Sequence, residues 1–152
     1  MSRCSNNDSI QYAHSFMRYL CIDLGDKRTG LAVGDDVLKI VTPAGVLEIS
    51  RGPALVEAML DTINEHDSQA LVLGMPLHMD GSEGDRARIA RDFANDLNAR
   101  IDLPIHFQDE RLTSYAADQQ MAQSGRTHRQ KKQIRDALAA AEILRDFFDQ
   151  HP

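Results

Sequence analysis

From Tyr19 to Ile22 every residue is apolar; Asp23 interrupts the run and Leu24 resumes it before Gly25. Such a run, closed by a glycine, reads as a buried strand. The residues "DKR" turn the chain, and "TGLAVGDD" reads as a second strand antiparallel to the first. "VTPAGVLEIS" gives a third short strand. In "GPALVEAMLDTINEHD" the fourfold spacing of Leu55, Met59 and Ile63 predicts an amphipathic helix with Pro53 in its first turn. "ALVLGMP" is apolar on both faces, as in a buried parallel strand. The turn-rich "LHMDGSEG" predicts a loop. A helix follows with Ile89, Phe93, Leu97 and Ile101 on one face and Ser82 as its cap. "LPIHFQDE" is a fifth strand, and "SYAADQQMAQSG" a short helix between Thr113 as N-cap and Gly125 as C′ residue. The final helix runs from about Gln133 to Asp149.

A meander followed by alternating strands and helices implies an α/β domain, a mixed sheet flanked by helices. Residues 1–16 are polar and without period, so they are expected to form a poorly ordered tail ahead of a single domain spanning 17–150. Met17 opens the first strand and is an alternative start to Met1.

Composition narrows the class. The 152 residues are 42% hydrophobic and 26% charged, enough for one domain with a real core and ordinary for a soluble protein. No apolar stretch approaches the roughly 20 residues of a membrane span, and the N-terminus lacks the apolar region of a secretory signal. Cys4 and Cys21 have no metal-ligand spacing and no disulfide framework. These features predict a cytoplasmic protein. The net charge of -6 argues against nucleic-acid binding, but charge is uneven. "RTHRQKKQIR" carries Arg126, Arg129, Lys131, Lys132 and Arg135 with no acid.

Three carboxylates stand where apolar residues belong. Asp23 lies inside the first strand, and strands are depleted in Asp. Asp136 leaves the polar arc of the last helix and projects among Ala139, Ala140, Ile143 and Phe147. Asp109 and Glu110 end the fifth strand, at the carboxyl edge where open α/β sheets bind ligands. Neighbouring residues on a strand face opposite ways, so one of those two can join Asp23. Each acid has a structural alternative: Asp23 bonding a turn, Asp136 pairing with Arg111, Glu110 pairing with Arg111 or Arg28. Together they would repel one another, and a divalent cation is the simplest neutraliser. Hard oxygen ligands select Mg²⁺ or Mn²⁺, one ion or two, which suits phosphodiester hydrolysis.

The motifs "IDLGDKRTGLAVGD" (22–35), "LVLGMPLHMDGSEG" (71–84), "DERLTS" (109–114) and "DALAAAEILRDFF" (136–148) resemble, in order and spacing, the YqgF-like pre-16S rRNA nucleases. These are RNase H-like relatives of Holliday junction resolvases. The resemblance spans Met17 to Phe148. It implies a five-stranded mixed sheet with the first three strands antiparallel, and Mg²⁺- or Mn²⁺-dependent trimming of the 5′ end of precursor 16S rRNA. It carries the catalytic, metal-binding acids onto Asp23, Glu110 and Asp136, selecting Glu110 over Asp109. Two positions depart from the pattern: Asp26, where a small or amide residue is usual, and Arg135, where an aliphatic one is usual.

The cations divide less sharply. Lys27 and Arg28 are placed either to touch a phosphate near the metal or on an exposed hairpin turn. Arg111 is expected at the site, orienting Glu110 or binding phosphate. The run holding Arg126, Arg129, Lys131 and Lys132 is the surface expected to meet a nucleic-acid backbone, with a solvated linker as the alternative. Arg86, Arg88 and Arg91, near the start of that helix, are placed either to meet phosphates or on a solvated helix face, and the solvated face is the favoured reading. His78, His106 and His128 have no zinc-ligand spacing. The leading function is an endoribonuclease on precursor rRNA, acting as monomer or homodimer. A Holliday junction resolvase acting on branched DNA, which calls for a homodimer, and a non-catalytic RNA- or factor-binding module are the alternatives.

Overall fold

A computed structural model of the chain describes residues 16–111 and 128–151. The first fifteen residues, the helix expected over 114–125 with Thr113 and Gly125, and Arg126 lie outside the described residues. Five strands and three helices follow one another: β1 (Arg18–Leu24), β2 (Thr29–Asp35), β3 (Val41–Leu47), α1 (Pro53–Glu65), β4 (Ala70–Met75), α2 (Asp85–Asn98), β5 (Ile105–Asp109) and α3 (His128–Gln150). They form one sheet of order β3-β2-β1-β4-β5. The β1–β2 and β2–β3 pairs are antiparallel, and β1–β4 and β4–β5 are parallel. This is the mixed sheet that the pattern predicts, with the three antiparallel leading strands that the resemblance implies.

Strand alternation sorts the core into two layers. On one face Leu20, Ile22, Leu71 and Leu73 meet Leu55, Met59 and Ile63 of α1 and Ala90, Phe93 and Leu97 of α2. On the other face Cys21, Ala32 and Val72 meet Ala140, Ala141, Ile143, Leu144, Phe147 and Phe148 of α3. Each large side chain fully buried this way is worth about 1.5–3 kcal/mol. Asp23 shares the parity of Cys21, so it belongs to the α3 face.

Three local details differ from expectation. α3 is already helical at His128, ahead of the expected start near Gln133, so Lys131 and Lys132 lie within it. No Gly or Pro lies within His128–Gln150, and unbranched Lys, Arg and Gln sustain a helix. The N-cap of α2 is Gly84, not Ser82; the Ser82 hydroxyl donates instead to Asp80 Oδ1 at 2.6 Å, inside the preceding loop. The buried stripe of α2 is Ala87, Ala90, Phe93, Ala94 and Leu97, which leaves Ile89 half-buried.

Candidate active site

Two glycine-permitted approaches set the acids around one cleft, and a third turns Arg28 towards it. Asp23 lies directly across from Gly30 in the β1–β2 register. A Cβ at Gly30 would collide with the backbone carbonyl of Asp136, so the bare glycine lets α3 settle on β2 and sets Asp136 beside Asp23. Glu110 leaves the end of β5 and reaches across β4 towards β1, passing over Gly74, where a Cβ would collide with its Oε2. Gly25 is pressed against the Arg28 carbonyl in the β1–β2 turn, which lets that turn fold back and aim Arg28 inward.

Parity separates the two acids that end β5. Phe107 packs with the α1/α2 layer, and Asp109 shares its side of the strand. Glu110 shares the side of His106, whose ring meets Phe147 of α3 at 5.1 Å between centroids. Asp109 is held by Arg111: Nη2 lies 2.7 Å from Oδ2, and Nε donates to the same oxygen at 2.8 Å. That guanidinium holds the Asp109 carboxyl below its usual range.

Asp23 and Glu110 are hydrogen-bonded side chain to side chain. Burial, then the charge of Glu110 and the bond to it, then the charge of Asp136 push the Asp23 carboxyl well above the ordinary range; Arg86 opposes them. Burial also raises Glu110, while the bond from Asp23 and the charge of Arg86 pull the other way. Two carboxyls crowded in this way favour holding a proton between them, and the proton belongs to the pair. Asp136 faces the same cleft and takes an ion pair from Arg28, Nε to Oδ2 at 2.8 Å. The acids and arginines line an open cleft of about 720 Å³ at the carboxyl ends of β1, β4 and β5.

Among the described residues no three His, Cys, Asp or Glu side chains stand together as a metal-ligand set. Two of the expected ligands touch; the third is drawn aside by Arg28. The donor set still suits a hard divalent cation. It is all oxygen, and the strain of holding Asp23 and Glu110 together is of the kind a cation relieves.

The expected substrate-binding residues separate. Arg28 and Arg111 line the cleft, each paired with an acid. Lys27 is exposed on the turn and does not line it. Lys131 and Lys132 are half-buried on α3, one to two turns before Asp136 and outside the cleft. Of Arg129 only the backbone is described, in the first turn of α3. Arg86, read from sequence as solvated helix surface, lines the cleft. Its spacing held the signal: positions 86, 90, 93 and 97 share one helical face, which Arg88 and Arg91 leave.

Residues 17–150 match the family model described as "RuvX: Holliday junction resolvase". The "Putative pre-16S rRNA nuclease" of Anaeromyxobacter sp. (strain Fw109-5) is 40% identical over 133 residues, covering 88% of this chain and 97% of that one. The protein of the same name from Maridesulfovibrio salexigens is 38% identical over 128 residues, covering 84% and 95%. Among solved structures, "T. thermophilus RuvC in complex with Holliday junction substrate" is similar with a TM-score of 0.55 at 15% identity, over 89% of this chain and 95% of that one. At that identity the likeness speaks for the fold.

Proposed function

The chain belongs to the RuvX family, and from that premise we propose that it is a divalent-metal-dependent endonuclease that hydrolyses a phosphodiester bond of precursor 16S rRNA, at its 5′ end. The observation that carries the reading is the meeting of Asp23 and Glu110 in a cleft that Asp136 also lines. Two carboxyls held in contact, with a third at hand, are a poor device for stability and a good one for a cation. The choice of RNA rests on the names of relatives that match nearly end to end.

Asp23, Glu110 and Asp136 are the residues that would hold Mg²⁺ or Mn²⁺. When bound, the metal supplies the positive charge that activates an attacking water and stabilises the leaving oxygen. The chain's own residues prepare the place. Arg111 keeps Asp109 occupied, so Glu110 is the acid left to join Asp23. Arg28 orients Asp136 and stands within the cleft where a phosphate would enter. Lys131 and Lys132, with Arg126 and Arg129, are assigned to the flanking nucleic-acid backbone. Lys27, on the exposed turn, would act only at the rim.

A second reading, cleavage of branched DNA, is favoured by the description of the family model itself. One experiment ranks the two: purified protein with matched RNA and four-way DNA junctions, in Mg²⁺ or Mn²⁺ and then in EDTA. RNA cleavage abolished by EDTA is the expected result. Preferential cutting of the junction would reverse the ranking, and cleavage indifferent to EDTA would remove the metal from the proposal.

A further inference from the structure

Three arginines line the cleft, and two are committed. Arg28 holds Asp136 at 2.8 Å. Arg111 holds Asp109 at 2.7 Å and also donates to the Met79 carbonyl at 3.1 Å. Arg86, the second residue of α2, has neither a hydrogen bond nor an ion pair among the described residues. Its neighbours on the helix are spoken for elsewhere. Arg88 pairs with Asp85 at 2.9 Å, and Arg91 pairs with Glu83 at 2.6 Å while lying over the Phe107 ring. Arg86 is exposed at the cleft wall, and its charge is felt at both Asp23 and Glu110.

An uncommitted guanidinium facing two acids it does not bond is placed for an anion set between itself and them. Its planar fork can donate two parallel N–H bonds to non-bridging phosphate oxygens, geometry that a lysine lacks. The need for it follows from the charge of the cleft. A phosphodiester approaching Asp23 and Glu110 meets repulsion, and the charges of Arg28 and Arg111 are already offset by their partners.

We propose that Arg86 is a catalytic residue that binds the non-bridging oxygens of the phosphate being cleaved, holding that phosphate against the Asp23–Glu110 pair. This rests on the nuclease reading above and singles out one of three arginines that the sequence left undivided between phosphate contact and solvent. Removing a preorganised donor to a developing negative charge costs roughly 10²–10³ in kcat, whereas removing a remote cation chiefly weakens binding and flattens its salt dependence.

The test compares Arg86→Ala, Arg86→Lys and Arg88→Ala with the parent in two assays. In the first, fluorescence anisotropy follows a short labelled single-stranded RNA, with every variant carried in Asp23→Asn to prevent cleavage. In the second, kcat and KM are measured with Mn²⁺. Expected are weaker RNA binding by Arg86→Ala, a kcat reduced about 100-fold, partial recovery in Arg86→Lys, an unaffected Arg88→Ala, and parent-like melting for all. A kcat unchanged in Arg86→Ala, or a loss matched by Arg88→Ala, overturns the proposal. So does a loss accompanied by a lowered melting temperature that Arg86→Lys fails to restore. If the parent itself does not cleave, the nuclease reading fails on its own, and the anisotropy assay still decides whether Arg86 holds a phosphate: parent-level RNA binding by Arg86→Ala then overturns it.

Discussion

Gly30 and Gly74 are both buried in the sheet beneath the acids, yet adding one methyl group should have opposite consequences at the two sites. At Gly30 the new Cβ meets only backbone: the carbonyl oxygen and carbon of Asp136 and the nitrogen of Ala137 at 3.2 Å. None of these can rotate away, so α3 must shift. Overpacking of this kind costs about 1–3 kcal/mol, and an immovable neighbour favours the upper end. Replacing a strand glycine by alanine returns roughly 0.5–1 kcal/mol of chain entropy. The net loss for Gly30→Ala is therefore about 2 kcal/mol, or roughly 4–8 °C in melting temperature for a chain of this size. At Gly74 the methyl meets Glu110 Oε2 and, at 2.9 Å, Ile143 Cδ1, both ends of flexible side chains. Those can move, so Gly74→Ala should melt within about 3 °C of the parent. The side chain that moves is Glu110, and a displacement of about 1 Å at a reacting centre can cost 100-fold in rate. Gly74→Ala should thus be folded and nearly inactive, Gly30→Ala both destabilised and inactive. Thermal melts beside the cleavage assay separate them. Parent-like melting of Gly30→Ala would refute the close approach of α3, and parent-rate cleavage by Gly74→Ala would refute the path assigned to Glu110.

Other outcomes follow from the same geometry. Because the fold raises the carboxyl pKa of Asp23, the native protein binds more protons than the unfolded chain above the ordinary value of 3.8, and the metal-free parent should lose stability as pH rises through that window. Asp23→Asn should melt like the parent near that pH and increasingly above it towards neutrality, while losing Mn²⁺-induced stabilisation and cleavage; a difference constant across pH would deny the crowding of the pair. Neutralising Lys131 and Lys132 together should weaken RNA binding and reduce its salt slope by up to about two counterions, with melting unchanged; an unaltered slope would place the nucleic acid elsewhere. A variant beginning at Met17 should melt within about 2 °C of the full chain, since the Met17 nitrogen already donates to Asp36 Oδ1 at 2.8 Å and a terminal ammonium strengthens that contact. A drop of several degrees would show that residues 1–16 support the domain.

Much of this was written in the sequence, and the exceptions have physical reasons. The strands and long helices announced themselves by periodicity, and the misplaced carboxylates at 23 and 136 by breaking it. Strand spacing left Asp109 and Glu110 open and only the family resemblance chose Glu110; the physical reason is the parity of β5 relative to α3, which depends on which helix covers which face, a tertiary fact. Which arginine pairs with which acid was likewise undecidable from spacing: Arg28 and Asp136 meet across 108 positions. Arg86 was not separated from Arg88 and Arg91, which made the stretch look uniformly solvated, although only those two leave the face of Ala90 and Phe93. Gly74 gave no local sign of its purpose, since the side chain it makes room for arrives from another strand.

The distance along the chain between Arg28 and Asp136 also sets a schedule. The sheet that presents Asp23 and Glu110 is complete once β5 has been made, but the third carboxylate arrives on the last helix. Contacts this far apart in sequence are the slowest to form, and synthesis delivers the N-terminal elements first. A chain made only as far as β5 therefore has two of the three acids and no α3 packed on β2. On the reading proposed above, a chain whose α3 has not yet packed holds no complete metal site, so docking of that helix is the step that would switch the nuclease on.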